Sequence, residues 1–116
     1  MEILIITSRE TRRFIIPKGW PIKGMNDAEA AAKEAYEEAG ITGKVKHKPI
    51  GRYSYWKRFA RNFELVPVDV YPLRVKAQLP AWPEQDARQQ AWLAPDDAAT
   101  LIDEPELASL VRNFAG

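Results

Sequence analysis

The chain has 116 residues, with 17 basic and 16 acidic side chains, one histidine and no cysteine. Its length and its 46% hydrophobic and 28% charged residues are those of a globular domain, so we predict a single domain over residues 1–116. The lack of cysteine excludes a disulfide scaffold, a thiol nucleophile and a thiolate zinc site. A single histidine excludes any site that needs two imidazoles.

The net charge of +1 hides an uneven distribution of charge along the chain. Residues 1–61 carry 13 basic and 7 acidic side chains, whereas residues 62–116 carry 4 basic and 9 acidic ones. The basic half favours a polyanionic ligand, and the acidic half disfavours indiscriminate binding to nucleic acid. The longest apolar run near the start, Ile3–Ile6, is too short for a membrane span or a secretory signal. We therefore expect a cytoplasmic protein with no membrane partner.

The first elements along the chain are predicted to be two strands and a loop. Four consecutive apolar residues indicate a buried strand over Ile3–Thr7, and a polar turn separates it from a short strand at Phe14–Ile16. Pro17 ends this second strand because proline has no backbone N–H to donate. Lys18–Asp27 contains two glycines and a proline, so we predict an irregular loop there.

A helix is predicted between Asp27 and Gly40. Asn26 or Asp27 can act as its N-cap, and Glu29 would complete a capping box with Asn26. Gly40 lies where a left-handed residue commonly ends a helix. The alanine- and glutamate-rich stretch between these positions has the highest helix propensity in the chain.

The second half of the chain is predicted to contain a hairpin, a loop, a strand and two helices. The hairpin arms are Lys44–Trp56 and Phe63–Val75, and Pro67 and Pro72 indicate an edge or a bulge in the second arm. The elements that follow are a loop at Leu79–Asp86, a strand at Gln89–Leu93, and helices at Pro95–Ile102 and Pro105–Phe114. This order predicts an α/β fold with a mixed sheet.

Three glutamates of the predicted helix, Glu34, Glu37 and Glu38, share an arc of about 100°, because each helical residue advances by about 100°. Alanines occupy the adjoining arc and can lie very close to a sheet. Like charges at this spacing repel each other. The stripe is therefore either a solvated acidic face, in which Lys33 pairs with Glu37, or a site for a divalent cation. Oxygen ligands without nearby histidine or cysteine favour Mg²⁺ or Mn²⁺ over zinc.

The segment from Gly19 to Ile41 resembles the Nudix box. Gly19 is followed after fourteen residues by Glu34, and then by Glu37-Glu38-Ala39-Gly40-Ile41. The resemblance implies a metal-binding loop–helix–loop on an α/β/α sandwich with a mixed sheet. Nudix domains usually have one more strand before the one that Ile3–Thr7 would match. By this comparison, either the sheet lacks an N-terminal edge strand or the chain shown is truncated at its start.

Two positions depart from the pattern of the box. Met25 stands where the family has its first glutamate, and Lys33 stands where it has an arginine. Lysine keeps the positive charge but not the bidentate fork of arginine. Because the other three glutamates are retained, we expect a metal site that is intact but has one carboxylate fewer.

The resemblance also implies an activity, the hydrolysis of phosphorus-containing acid anhydrides by attack of water at phosphorus. Phosphoryl transfer mainly requires positioning and charge neutralisation. Family membership would make Glu34 and Glu38 metal ligands and Glu37 a ligand or the general base. Some relatives take the base from a distant loop. Glu84 and Asp86 are the candidates for such a distal base, against the simpler interpretation that both are solvated.

The substrate contacts are predicted in the loop and in the hairpin. Lys18 can contact a phosphate as a point charge, and the carbonyl groups of Lys18 or Gly19 can complete the metal shell. Between Lys44 and Arg61, eight of eighteen residues are Lys, Arg or His, and we single out Arg52 and Lys57 as candidate phosphate contacts. The interleaved aromatic residues either stack on a base or pack in the core; they are Tyr53, Tyr55, Trp56 and Phe59.

The Pro17–Trp20 stretch and the basic hairpin most resemble the family branch that acts on diphosphoinositol polyphosphates and diadenosine polyphosphates. We therefore expect a small-molecule substrate with at least three phosphates. Two alternatives remain. The protein is a catalytically weak sensor of a phosphorylated ligand, which Met25 favours, or it hydrolyses the 5′-triphosphate end of RNA, which the acidic half opposes. The number of metal ions and the oligomeric state are left open.

Overall fold

The strands and helices follow the predicted order. In the computed structural model, which describes residues 1–115, they are β1 (Ile3–Thr7), β2 (Phe14–Ile15), α1 (Asp27–Ala39), β3 (Ile41–Val45), β4 (Gly51–Arg58), β5 (Phe63–Val70), β6 (Leu73–Gln78), β7 (Gln90–Leu93), α2 (Pro95–Leu101) and α3 (Pro105–Arg112). A single 3₁₀ turn at Gln85–Ala87 precedes β7. The predicted α/β class is confirmed.

Strand β1 lies at the centre of the fold. It pairs antiparallel with β2 on one side and with β7 on the other. Side chains alternate across a strand, so Leu4 and Ile6 pack on one face, with the alanines of α1 and with Ile41. Ile5 packs on the opposite face, with α2 and α3. The sheet is therefore sandwiched between α1 and the two C-terminal helices.

Helix α1 begins and ends where its caps predict. The side chain of Asn26 accepts a hydrogen bond from the backbone N–H of Glu29 at 2.9 Å. Gly40 is left-handed, with φ of 70°, and its N–H donates to the carbonyl of Tyr36 at 2.9 Å. The buried side of the helix consists mainly of alanines, which lets it pack closely on β1 and β3.

The predicted hairpin is a long two-stranded ribbon that is interrupted in the middle. The arms Lys44–Trp56 and Phe63–Val75 pair with each other, and the irregularity predicted for the second arm lies at Pro72, whereas Pro67 lies within a regular ladder. β4 pairs with β5, and β3 pairs separately with β6. Between the two ladders the first arm has five residues and the second has only two, so the ribbon bulges. Pro49 and Pro72 lie in these connections, and neither can donate to a ladder.

The C-terminal helices close the second face of the sheet. α3 packs against β4, where a methyl group added at Gly51 would lie 2.4 Å from Leu110. A parallel bridge joins Phe14 to Ile102 and brings the α2–α3 connection beside β2, while the strand ladders are antiparallel. Within residues 1–115, no helix has both the length and the apolar character that crossing a membrane requires.

Candidate active site

The second half of α1 presents two glutamates to the interior. Glu38 is only 4% exposed, and Glu34 lies one turn before it on the same side. Burial raises the pKa of Glu38 to about 8, and a hydrogen bond to Glu34 together with the negative charges of Glu34 and Glu84 acts in the same direction. The charge of Arg88 opposes this rise in the pKa. Two carboxyl groups thus share a poorly solvated space.

Gly19 allows the carboxyl group of Glu34 to lie against the preceding loop. A methyl group added at Gly19 would lie 2.4 Å from the carboxyl carbon of Glu34 and 2.6 Å from its Oε1. Because no side chain fits there, the backbone of the loop and the carboxylate are in direct contact. The loop and the helix therefore meet at Glu34.

Arg88 connects the helix with the loop that precedes β7. Its Nη2 lies 3.0 Å from Oε1 of Glu84 and 3.4 Å from Oε1 of Glu38. Its Nη1 donates to the carbonyl oxygen of Thr7 at 3.1 Å. The side chain of Arg88 is only 12% exposed. Its guanidinium is the main positive charge among the carboxyl groups of Glu34, Glu38 and Glu84, which we call the carboxylate cluster.

Two backbone hydrogen bonds hold the Glu84 loop against the end of α1. The N–H of Leu79 donates to the carbonyl of Gly40 at 2.8 Å, and the N–H of Glu84 donates to the carbonyl of Glu37 at 3.0 Å. Of the two candidate distal bases, Glu84 is linked to Glu38 by Arg88, which contacts both carboxylates. Asp86 is exposed in the 3₁₀ turn.

Glu37 is not brought together with the other two glutamates of the stripe. Its carboxylate pairs with Lys33 at 3.3 Å, on a side of the helix where it is 30% exposed. Among the residues that the structure describes, no three acidic or histidine side chains lie close enough to hold one ion. The expectation that all three glutamates converge is therefore met only by Glu34 and Glu38.

The donor set nevertheless fits a divalent cation. Its donors are all hard oxygen atoms, which are the ligands of Mg²⁺ and Mn²⁺. Burial and the neighbouring carboxylates raise the pKa of Glu38, which means that negative charge is unfavourable there without a positive partner. A divalent cation bound by Glu38 and Glu34 would supply that positive charge.

Two of the three basic side chains predicted to contact phosphate, Lys18 and Lys57, lie on the side of the molecule that carries the candidate site. The Nζ of Lys18 lies 4.5 Å from the ring centre of Tyr55, and burial lowers the pKa of this lysine. The Nζ of Lys57 lies 5.7 Å from the ring centre of Trp20. Among the described residues, neither ammonium group has a carboxylate within 4.0 Å. Both remain available to an anionic ligand.

Arg52 is on the opposite face of the ribbon. Its parity along β4 differs from that of Tyr53, Tyr55 and Lys57. It forms an ion pair with Asp69, the residue directly opposite on β5, at 2.8 Å. The structure therefore does not bring Arg52 together with the other two predicted phosphate contacts.

A cavity of about 690 Å³ begins at the Lys18 loop and extends between α1 and the ribbon. Most of its lining is apolar or aromatic, including Ala35, Ile41, Val75 and Trp92. The basic residues of the lining are Lys18, Lys57 and Arg88, and the acidic ones are Glu2, Asp27 and Asp69, of which Asp69 has its carboxylate in the ion pair with Arg52 on the other face of the ribbon. The cavity therefore suits a ligand with both an apolar and an anionic part.

The hairpin aromatics divide between the two interpretations made from the sequence. Tyr53 is buried in the core, and Tyr55 lines the cavity. Trp56 is 65% exposed on the outer face of the ribbon, and Phe59 begins the turn. Only Tyr55 of this group is placed to contact a ligand in the cavity.

Sequence reasoning did not identify Arg88 or Glu104. Arg88 is the only basic residue between Lys76 and Arg112 and follows Glu84 by four residues, which is a detectable signal. One carboxylate oxygen of Glu104 is buried without a partner, as is the hydroxyl of Tyr53. Glu104 reaches this position through the parallel bridge at Ile102, which no local pattern indicates.

A family model and several curated proteins match this chain. The model of the NUDIX domain family matches residues 2–114. Nudix hydrolase 18, mitochondrial, of Arabidopsis thaliana is 34% identical over 84% of this chain and 53% of its own length. Diphosphoinositol polyphosphate phosphohydrolase 2 of Rattus norvegicus is 29% identical over 86% of this chain and 53% of its own length. The chain thus spans about half the length of these curated relatives.

A solved structure also shares the fold. A binary complex of the Caenorhabditis elegans Ap4A hydrolase ("C. elegans Ap4A Hydrolase Binary Complex") superposes with a TM-score of 0.66 at 23% identity, over 96% of this chain and 81% of that one. At this identity the likeness concerns the fold.

Gly40 provides a test of how the Glu84 loop is held. A methyl group there would lie 2.1 Å from the ring of Trp82, and φ is positive. We expect Gly40→Ala to lower the free energy of unfolding by about 1–2 kcal/mol, because alanine is strained in the left-handed conformation. The steric clash between the new methyl group and the ring of Trp82 should lower it by about 1–3 kcal/mol more. Denaturant unfolding measures the sum.

The same substitution in a Trp82→Ala background isolates the clash. If the ring of Trp82 is what the methyl group meets, Gly40→Ala should cost only the backbone part there. An equal cost in both backgrounds would contradict the packing of Trp82 on Gly40.

Proposed function

The chain belongs to the Nudix family, and from that membership we propose that it is a divalent-metal-dependent pyrophosphohydrolase of polyphosphorylated small molecules. The observation that carries the proposal is the buried Glu38 together with the half-buried Glu34, which lies against Gly19. The ammonium group of Lys18, which has no ion-pair partner among the described residues, interacts with the charge of Glu38 and lines the cavity. A cation site next to a free positive charge is what a phosphoanhydride requires.

We propose that Glu34 and Glu38 hold Mg²⁺ or Mn²⁺. A bound divalent cation neutralises phosphate charge and makes water a better nucleophile. Glu37, which is more exposed and paired with Lys33 away from Glu34 and Glu38, is proposed as the general base that accepts the proton of the attacking water. Glu84 is the proposed distal alternative, because it lies on the same cluster.

Lys18 and Lys57 are proposed to bind the phosphate chain. Each ammonium group lies over an aromatic ring and lacks a carboxylate partner among the described residues, so neither must break an ion pair to bind. Both line the cavity, and so does Gly19, whose backbone contacts Glu34. They can therefore orient the chain toward the glutamates.

The composition of the cavity favours a diadenosine polyphosphate over a diphosphoinositol polyphosphate. An inositol ring with phosphates on every side needs positive charges on every side, whereas the basic residues of this lining are Lys18, Lys57 and Arg88, and Arg88 is already paired with Glu38 and Glu84. A nucleoside can bury its base on apolar and aromatic surface while its phosphates contact the two lysines. The Ap4A hydrolase neighbour is consistent with this choice, and the diphosphoinositol polyphosphate relative keeps the alternative open.

A substrate panel tests the proposal. Diadenosine polyphosphates, diphosphoinositols, ADP-ribose, nucleoside triphosphates and 5′-triphosphorylated RNA should each be assayed with Mg²⁺ or Mn²⁺ and with chelator. We expect a diadenosine polyphosphate to have the highest kcat/KM and chelator to abolish the activity. ADP-ribose as the best substrate would contradict the polyphosphate preference. Binding without turnover of any substrate would support the sensor.

Glu37→Gln tests the proposed base, because the change keeps the shape and removes the charge. We expect kcat to fall by about 10²–10⁴, the usual cost of losing a general base, with an unchanged melting temperature. Glu29→Gln, an exposed position on the same helix, is the matched control and should retain activity. Wild-type kcat in Glu37→Gln would assign the base elsewhere, and Glu84→Gln would then be the variant to measure.

Mutations can distinguish the contribution of the cavity side to phosphate binding from that of the opposite face of the ribbon. Lys18→Ala should raise KM about tenfold or more, since a charge-assisted contact is worth about 1.5–3 kcal/mol, and Lys57→Ala should raise it in the same direction. Arg52→Ala removes a positive charge from the opposite face and should leave KM within about twofold, because exposed ion pairs contribute little. Equal effects of Lys18→Ala and Arg52→Ala would show that phosphate binding is not confined to the cavity side.

A further inference from the structure

Arg88 occupies the position of a countercation inside the carboxylate cluster. Its Nη2 contacts Oε1 of both Glu38 and Glu84, at 3.4 and 3.0 Å, and its Nε donates to Glu84 at 3.1 Å. The backbone carbonyl of Thr7 accepts a further hydrogen bond from Nη1, which fixes the guanidinium on the sheet side. The side chain is enclosed, so these contacts are not screened as surface ion pairs are.

The other basic side chains near Glu38, Lys33 and Lys18, form no ion pair with it. Lys33 is paired with Glu37, and Lys18 lies over the ring of Tyr55 with no carboxylate within 4.0 Å. In residues 1–115, Arg88 is therefore the side chain in ion-pair contact with Glu38. The same guanidinium keeps Glu84 from being a free ligand.

We propose that Arg88 competes with the divalent ion for Glu38, and so sets the ion concentration that the site requires. The inference rests on the metal site of the proposed function. A guanidinium that donates to a carboxylate oxygen occupies the lone pairs that a cation needs. It also places a positive charge next to the ion, which repels it. Binding of the ion then requires Glu38 to leave Arg88, while Glu84 and the carbonyl of Thr7 retain the guanidinium.

The opposite role makes an opposite prediction. If Arg88 instead holds Glu38 in the conformation that binds metal, its removal weakens metal binding. The sign of the change in affinity therefore decides between competition and orientation.

Mn²⁺ affinity can be measured without substrate, by electron paramagnetic resonance of the free ion. We expect Arg88→Met to bind Mn²⁺ about fivefold more tightly than the wild type or better, which is the lower end of typical couplings between two ligands. Arg112→Met removes a positive charge from α3, where the arginine pairs with Asp96 at 3.7 Å. This control should leave the affinity within about twofold.

Arg88→Lys keeps the test decisive if Arg88→Met does not fold. Lysine retains the charge but cannot contact both carboxylates with one planar group, so its affinity should lie above that of the wild type and below that of Arg88→Met. Unchanged or weaker Mn²⁺ binding in the folded Arg88 variants overturns the inference and leaves the proposed function standing. A wild-type protein that binds no Mn²⁺ overturns the metal dependence of the proposed function and the inference with it.

Discussion

The burial of one carboxyl group, that of Glu38, is the constraint on which the site depends. An ionised carboxylate removed from water is strongly unfavourable unless it is paired or protonated. Here the compensation comes from Glu34 on the same helix and from Arg88 before β7. Glu34 shares a hydrogen bond, Arg88 supplies a charge, and the small side chains of α1 allow the helix close enough for these groups to meet. The loop before α1 contacts Glu34 at Gly19, and the loop before β7 is joined to Glu38 through Arg88.

The parts of the fold that could be predicted from the sequence are those with local causes. The ends of α1 depend on Asn26 and Gly40, which act on their own backbone, and β1 depends on a short apolar run. The division of the ribbon into two ladders could not be predicted, because it depends on how many residues each arm uses between pairings that are distant in the chain. Prolines marked the second arm as irregular, but they did not reveal that β3 and β6 form a separate pair.

The candidate site shows the same limit. Helical periodicity joined Glu34 with Glu38 and left two outcomes for Glu37, a shared cation site or an ion pair with Lys33; the structure has the ion pair. Strand alternation implies that Arg52 and Lys57 face opposite sides, yet which side faces the site depends on the packing of the whole ribbon. The roles of these residues in catalysis and binding stay predictions.

Strand β1 has a consequence for how the molecule comes apart. Ile5 belongs to the core beneath α2 and α3, whereas Leu4 and Ile6 belong to the core beneath α1. Neither core can be exposed to water without removing the strand that the other one also needs. The two halves therefore melt cooperatively, as one unit, although their apolar clusters are separate. Amide hydrogens of β1 exchange with solvent through this global opening, whereas the outer end of the ribbon can fray by itself.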